Sequence, residues 1–569
     1  MAASEAAKRP SEAAAEEAAE EKRPRGEPAA TTTAAEEVEE MEVTNTPVEG
    51  DNNMSISVLI NGKETKLEVP DEALEQAYFE EDDGTWLDPM QVKEGMEREL
   101  NLMNQLKVYE ELNREDLPRG TKVWTARWCH RKKGDGVRSR FVVRQYANGH
   151  DPEMFAGTPG KEAVRVLLAI AIHKGYDIIP ADFSVAFMHT PLTGDPIYIT
   201  PPDEVNPDGT KVWRLLKALN GLREAAKQFQ EHLANILVQD LQFNRSQLQP
   251  TVFYHPERQL RLVVHVDDPL CSGPREEILR LYNQLGDKLA IRVGAPFNAQ
   301  TDSVYLGARY RRVGDVIIEH PAEGYMEGIL DIVGMKECNR LTTPGIKESI
   351  KEDQEDPALD AARHHTYRSV VGKLQFIAPM RPDIHFALKE LGRRLHQPTE
   401  ASWRAMRRLV RYVAGTRNYG LFLTTGSKDL TTLRGVTDTD WAGCQTTRKS
   451  TSAGAVFWGD FLLMSYARTQ SVISQSSPEA ELYGCVSIAA ELLYLQGLMH
   501  DMGIDVNLRI DTDASSAKAM ASRRGVGKVR HIMVKYLWLQ ALVNEKRITI
   551  RKIPGSQNVT DCGTKYVDV

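Results

Sequence analysis

The sequence predicts a multidomain α/β (α+β) protein, and three observations carry that expectation. At 569 residues the chain is too long for a single hydrophobic core. Strand-like runs such as RSRFVVRQY and LVVHV alternate with stretches of helical spacing such as MQVKEGMERELNLMNQL. After Arg434 several β runs come first and helices and strands then alternate, the order of a compact α/β domain.

Residues 1–50 are Ala, Glu, Thr and Pro with almost no aromatics, too little apolar surface to offset ordering entropy, so a disordered acidic tail is expected there. Two basic clusters within it, Lys8-Arg9 and Lys22-Arg23-Pro24-Arg25, are spaced either as a bipartite nuclear import signal over 8–25 or as part of a solvated polyampholyte. The first 100 residues hold 27 acidic and 9 basic side chains, leaving 53 acidic and 62 basic in the remainder. The body is therefore basic although the whole chain carries −9, a sign compatible with phosphate-bearing partners. No apolar run reaches the eighteen residues of a membrane span and the start lacks the core of a signal peptide, so a soluble cytoplasmic or nuclear protein without a membrane partner is expected.

Residues 51–87 contain SISVLINGKETKLEV, two alternating runs around Asn61-Gly62, which reads as a hairpin of unassigned role. A mixed α/β region occupies 88–274, a connecting region 275–430, and a C-terminal α/β domain 431–569, with a turn at Gly459-Asp460, a long helix from about Pro478 to Met502, a strand ending near Asp511 and a last strand RITIRKI. The six cysteines are scattered, without metal-ligand spacing, and suit a reducing compartment.

In LVVHVDDPL (262–270) β-branched residues run into Asp267 and Asp268, then into Pro269, which suggests a strand, a tight turn and a weak second strand. Alone, such a pair is ordinary turn chemistry. ADFSVAF (181–187) supplies a third acid, Asp182, on another apolar run. At an effective dielectric near 20, two like charges about 4 Å apart repel by roughly 4 kcal/mol, so a converging trio needs cations. Two Mg²⁺, or Mn²⁺, would meet that need and support in-line phosphoryl transfer.

With these motifs the chain resembles the Pol proteins of copia-type retrotransposons. HVDD sits where that family has Tyr-Val-Asp-Asp, and ADFSVAF resembles its other Asp-bearing strand. KALNGLREAAKQF (217–229), GMKECNRLTTP (334–344), YRSVVGKLQFIAPMRPDIHFAL (367–388) and WRAMRRLVRYVAGT (403–416) follow in the family's order. The resemblance implies right-hand polymerase fingers and palm, a thumb and connection region, and a ribonuclease H-like mixed-sheet domain. It also implies reverse transcriptase activity on an RNA template and DNA primer, with deoxynucleoside triphosphates as substrates. Asp182, Asp267 and Asp268 would be the palm metal ligands, and Phe187 would exclude a 2′-hydroxyl. Arg138 and Arg140 would hold the triphosphate as fork-shaped donors, or else lie on an exposed strand face. Three residues depart from the family pattern near primer or nucleotide: His265 for the motif tyrosine, Asn220 for a tyrosine, and Pro269, which has no N–H for its hairpin.

A second acid set lies in blocks that also resemble the family: Asp438 in VTDTDWAG, Glu481 in SSPEAELYG, Asp513 in IDTDASSA and Asp561 in QNVTDCGTK. Ser477 as N-cap with Pro478 next would start the long helix and turn Glu481 inward, while Asp561 is expected on a last helix. The four match the ribonuclease H pattern, which implies two Mg²⁺ and hydrolysis of the RNA strand of an RNA–DNA hybrid. Asp440, Glu479 and Asp511 are expected to be solvated or structural acids, and His531 a structural hydrogen-bonding residue. The rival expectation is a host-adopted or decayed copy that binds nucleic acid without polymerase activity, with or without the ribonuclease H activity retained.

Overall fold

The computed structural model describes residues 44–45, 53–60, 63–70, 78–80, 84–146, 156–347, 356–426, 429–444, 446–525 and 536–566. The basic clusters at 8–25 and His531 lie outside them. The chain forms two compact units, one of residues 1–92 with 130–137 and one of 93–129 with 138–569. In the first, Asn53–Ile60 pairs antiparallel with Lys63–Pro70, Ile60 opposite Lys63, and Asn61-Gly62 lies outside the described residues.

The second unit is built around α1 (Lys161–Lys174), whose sequence AVRVLLAIAI is apolar on nearly every face and buried from Ala163 to Ile172. Gly175 ends it with φ +68°, its N–H reaching the carbonyls of Ala171 and Ile172. The strand β1 (Asp177–Phe183) follows directly. It lies in a six-stranded sheet with β2 (Leu260–His265), β3 (Asp268–Gly273) and β4 (Ile291–Val293), in the order Asn244–Arg245, Val252–His255, β2, β3, β1, β4. Tyr109–Asn113, Lys211–Leu215, Tyr198–Ile199 and Val123–Trp124 make a four-stranded sheet, with Tyr109 stacked on buried Trp213 at 3.7 Å.

The C-terminal sheet has five strands: β5 (Thr432–Asp440), β6 (Thr451–Trp458), β7 (Phe461–Thr469), β8 (Asn507–Thr512) and β9 (Ile548–Lys552), in the order β7-β6-β5-β8-β9. The first three are antiparallel and turn at Gly459-Asp460, where Gly459 has φ +60°. The β5–β8 and β8–β9 pairs are parallel, and helices fill both crossovers. Across β5 packs α2 (Ser477–Asp501), a 25-residue helix long and apolar enough to cross a membrane by composition alone. Its burial against the sheet is that of a core helix.

Two sequence expectations are corrected in this region. The N-cap is Ser476 rather than Ser477, and Pro478 is the second helical residue, still inside the first turn where its missing N–H costs no hydrogen bond. Glu479, 1% exposed, accepts from the Gln475 N–H and the Tyr483 hydroxyl, which makes it a structural acid of the helix start. Asp561 lies on a 3₁₀ turn, Asp561–Gly563, not on a helix, because the chain after Ile553 runs through Pro554 and Gly555 into short turns.

One hydrophobic cluster runs from α1 and Val263 through Ile317 and Leu374 to Trp458 and Leu492, so the positions 274 and 430 fall within a shared core. Buried polar contacts reinforce the joins. Arg165 of α1, 1% exposed, donates from Nη2 to Glu319 at 2.8 Å and to the Pro379 carbonyl at 2.7 Å, and from Nη1 to the Leu463 carbonyl at 3.5 Å. Arg261 of β2 donates to the Met502 carbonyl just past α2, at 2.9 Å.

Candidate active sites

The first site forms where three strands of the six-stranded sheet end. β1 pairs with β3 from Asp177 opposite Gly273 to Pro180 opposite Leu270, then with β4, Asp182 opposite Arg292. The β2–β3 hairpin closes through Val266 and Asp267, with His265 opposite Asp268 and Val266 at φ +50°. The Phe183 N–H donates to the Asp267 carbonyl at 2.8 Å, which fixes the Asp182 strand beside the hairpin tip. Tyr305 donates its hydroxyl toward the carbonyls of Asp268 and Val263, at 3.2 and 3.3 Å, supporting the hairpin from below.

Burial, with Asp267 and Asp182 adding to it, pushes the Asp268 carboxyl up to about 6, so the three acids share one electrostatic field. Pro269 does not weaken the second strand. β3 is regular through Gly273, and its pairing with β1 begins only at Leu270, so no ladder bond to β1 needs a Pro269 N–H. His265 is half-buried, its Nδ1 has no hydrogen-bond partner, and burial pushes its imidazole pKa down against the pull of Asp267.

Phe187 follows Val185 (φ +49°) on a short 3₁₀ turn and meets Phe229 edge-on at 6.4 Å. Asn220 accepts the Val143 N–H at 2.9 Å through its carbonyl. The next residue, Gly221 (φ +85°), lies so close that a Cβ there would meet the Val143 carbonyl oxygen at 2.1 Å. Arg138 and Arg140 occupy the half-exposed face of Gly136–Val143, and both lie near enough to buried Glu99 to oppose the upward push of burial on its carboxyl.

The second site is a trio of carboxylates. Among the described residues, Asp438 near the end of β5, Glu481 in the second turn of α2 and Asp513 just after β8 each offer a carboxylate oxygen within 4.8 Å of the others. Two glycines let α2 approach: a Cβ on Gly484 would meet Thr439 Cγ2 at 2.6 Å, and one on Gly435 would meet Ile488 Cγ1 at 2.7 Å. Burial, with Asp438 and Asp513, pushes Glu481 up to about 8. Asp438 rises to about 6, again chiefly by burial. Glu481 Oε2 is buried without a hydrogen-bond partner. An orphaned carboxylate oxygen in an all-oxygen donor set fits a hard divalent cation such as Mg²⁺ or Mn²⁺.

Asp561 stands outside this trio. It pairs with Lys565 at 2.8 Å and adds to the field on Asp438. Thr564, which sequence reasoning missed, donates its hydroxyl to Asp438 Oδ2 at 2.6 Å. A threonine in GTK carries no sequence signal for that role. Asp511 is fully buried and held by Arg509 and Arg551, so it is structural. Asp440 is pushed up by burial against the pull of Lys389 and Lys347, and Lys389 donates to Thr451, the strand partner of Asp440, at 2.8 Å.

Residues 109–347, which include every palm acid, match the reverse transcriptase (RNA-dependent DNA polymerase) family. The chain is 27% identical over 468 residues to the retrovirus-related Pol polyprotein from transposon RE1 of Arabidopsis thaliana, an alignment covering 79% of this chain and 31% of that polyprotein. The chain belongs to the copia-type retrotransposon Pol family. This Pol chain thus spans about a third of the length of that curated relative. It is also 31% identical over 242 residues to the uncharacterized mitochondrial protein AtMg00810 of Arabidopsis thaliana, covering 41% of this chain and 93% of that one. Among solved structures, a foamy viral protease-reverse transcriptase in complex with dsDNA aligns with TM-score 0.49 and 12% identity over 81% of this chain and 83% of that one. The family match over residues 109–347 places a reverse transcriptase domain in this chain.

Proposed function

We propose that the chain is an RNA-directed DNA polymerase with a second, ribonuclease H-type nuclease site. The observation that carries the polymerase reading is the Phe183 N–H bond to the Asp267 carbonyl, which joins the Asp182 strand to the two-aspartate hairpin. In this reading Asp182, Asp267 and Asp268 hold two divalent cations. Phe187 excludes a 2′-hydroxyl, and Arg138 and Arg140 receive the triphosphate of a deoxynucleotide. Bound Mg²⁺ would supply activation of the primer 3′-hydroxyl and neutralisation of the leaving pyrophosphate.

Support for the second activity comes from the trio within 4.8 Å, set on the first strand, the long helix and the end of the fourth strand of a β7-β6-β5-β8-β9 sheet. Asp438, Glu481 and Asp513 would hold the cations, with Asp561 completing the set from its turn. The substrate is the RNA strand of an RNA–DNA hybrid. A narrower reading keeps only this nuclease, because the departures His265, Asn220 and Pro269 all fall in the first site. Extension of a DNA primer on an RNA template by the purified chain in Mg²⁺ tests the polymerase reading, and absence of any product would leave the nuclease reading alone.

A further inference from the structure

The C-terminal sheet has two faces, and only one is closed by α2. Ile488 and Leu492 of α2 lie against Gly435, the strand neighbour of Val456, so residues one position along, such as Ala455 and its partner Ser465, face the other way. On that side, between the sheet, Pro382 and the Asp561–Gly563 turn, lies a cavity of about 160 Å³. An apolar cavity of about 150 Å³ is large enough to take benzene. The cavity is edged by Val559, which is 55% exposed.

Its walls are apolar, with Ala455, Phe457 and Leu462 contributed by the sheet. Polar groups interrupt them: His385 Nε2 and Ser465 Oγ lie 3.0 Å apart, and Thr560 and Tyr466 also line the cavity. Whichever of the two donates, the serine oxygen keeps a lone pair to offer a ligand. Burial, with Arg165 and Arg468 adding to it, pushes the His385 imidazole down to about 4, so this pair carries no charge near neutral pH. A charged ligand would find no counter-charge in this wall.

We propose that this cavity binds a small uncharged planar ring bearing one O–H or N–H donor, the ring between the sheet and the Asp561–Gly563 turn and the donor on Ser465 Oγ. Cys562 and Gly563 line the same cavity, so an occupant touches the turn that carries Asp561, one residue before Thr564 and its bond to Asp438. The inference is independent of the polymerase reading, because it needs only the cavity and its lining.

The test uses the full chain with phenol as the probe and follows alkylation of Cys562 by iodoacetamide, with Cys129 and Cys338 as internal references. Millimolar phenol is expected to slow Cys562 alkylation saturably while leaving the references unchanged. Ser465→Ala should weaken phenol about fivefold, the worth of one neutral hydrogen bond, and leave toluene protection as it was. Ala455→Leu, which fills the cavity, should abolish protection by both. An unchanged Cys562 rate in the wild-type chain would overturn the proposal. So would equal phenol affinity in Ser465→Ala, a small substitution that does not depend on the fold tolerating the larger one.

Discussion

The hydroxyl of Thr564 donates to Asp438 Oδ2 at 2.6 Å, which ties the end of the chain to the first strand of the acidic site. Both residues are buried, Thr564 at 2% exposure and Asp438 at 8%. The bond favours the ionised carboxylate against the burial that pushes its pKa up. Thr564→Val keeps the volume and removes the donor. Mn²⁺ affinity at neutral pH, measured by calorimetric titration, should fall about tenfold or more, as for loss of an outer-shell partner of a metal ligand. Unchanged affinity would mean that Asp438 needs no such support.

The metal-free fold should also depend on pH through Glu481. Its folded-state value of about 8 lies above the ordinary 4.5, so the folded chain holds a proton that the unfolded chain releases. That contribution is fully present below about pH 4.5 and is lost as pH rises through about 8. Melting of wild type against Glu481→Gln in a chelator should show the wild-type advantage shrinking over this window, by an amount on the order of a few kcal/mol. Mg²⁺ should restore stability at the alkaline end, because a cation neutralises ionised carboxylates that only the folded chain brings together. An advantage that grows with pH would contradict the assignment.

Arg165→Met should be among the most destabilising single substitutions. It removes the closer of the two ion-pair partners of Glu319, 1% exposed, leaving Lys161 at 3.9 Å, and also abandons the carbonyls of Pro379 and Leu463. Breaking a buried pair from one side costs about 3–5 kcal/mol, and the double variant Arg165→Met/Glu319→Gln should recover part of the loss. Denaturant midpoints of the two variants decide the matter.

Gly484→Ala should push α2 off β5, since the added Cβ would meet Thr439 Cγ2 at 2.6 Å. Overpacking of this kind costs about 1–3 kcal/mol. Adding Thr439→Ser removes that methyl and should return most of the lost melting temperature. If Thr439→Ser gives no rescue, the helix is held off by some other contact.

Much of this architecture is legible because local signals agree with the fold. The alternating runs on either side of Asn61-Gly62 are two paired strands, and the run of β-branched residues into Asp267 and Asp268 is a strand entering a tight turn. What is missed lies in relations between distant segments. Ser476 replaces Ser477 as the cap because adjacent serines give the same sequence signal. Thr564 becomes a donor to Asp438 only when the last turn folds against β5. Pro269 looks disruptive in sequence, yet the β1 ladder starts one residue later, at Leu270, which depends on register. The 4.8 Å convergence of Asp438, Glu481 and Asp513 also depends on tertiary packing.

The most direct measurement compares Mg²⁺-dependent primer extension and hybrid cleavage in two variants of the full chain, Asp267→Asn/Asp268→Asn and Glu481→Gln. Two independent sites predict that the first variant loses extension and still cleaves the RNA strand, while the second still extends and loses cleavage. Loss of both activities in either variant, or extension that survives the palm substitution, would contradict the account.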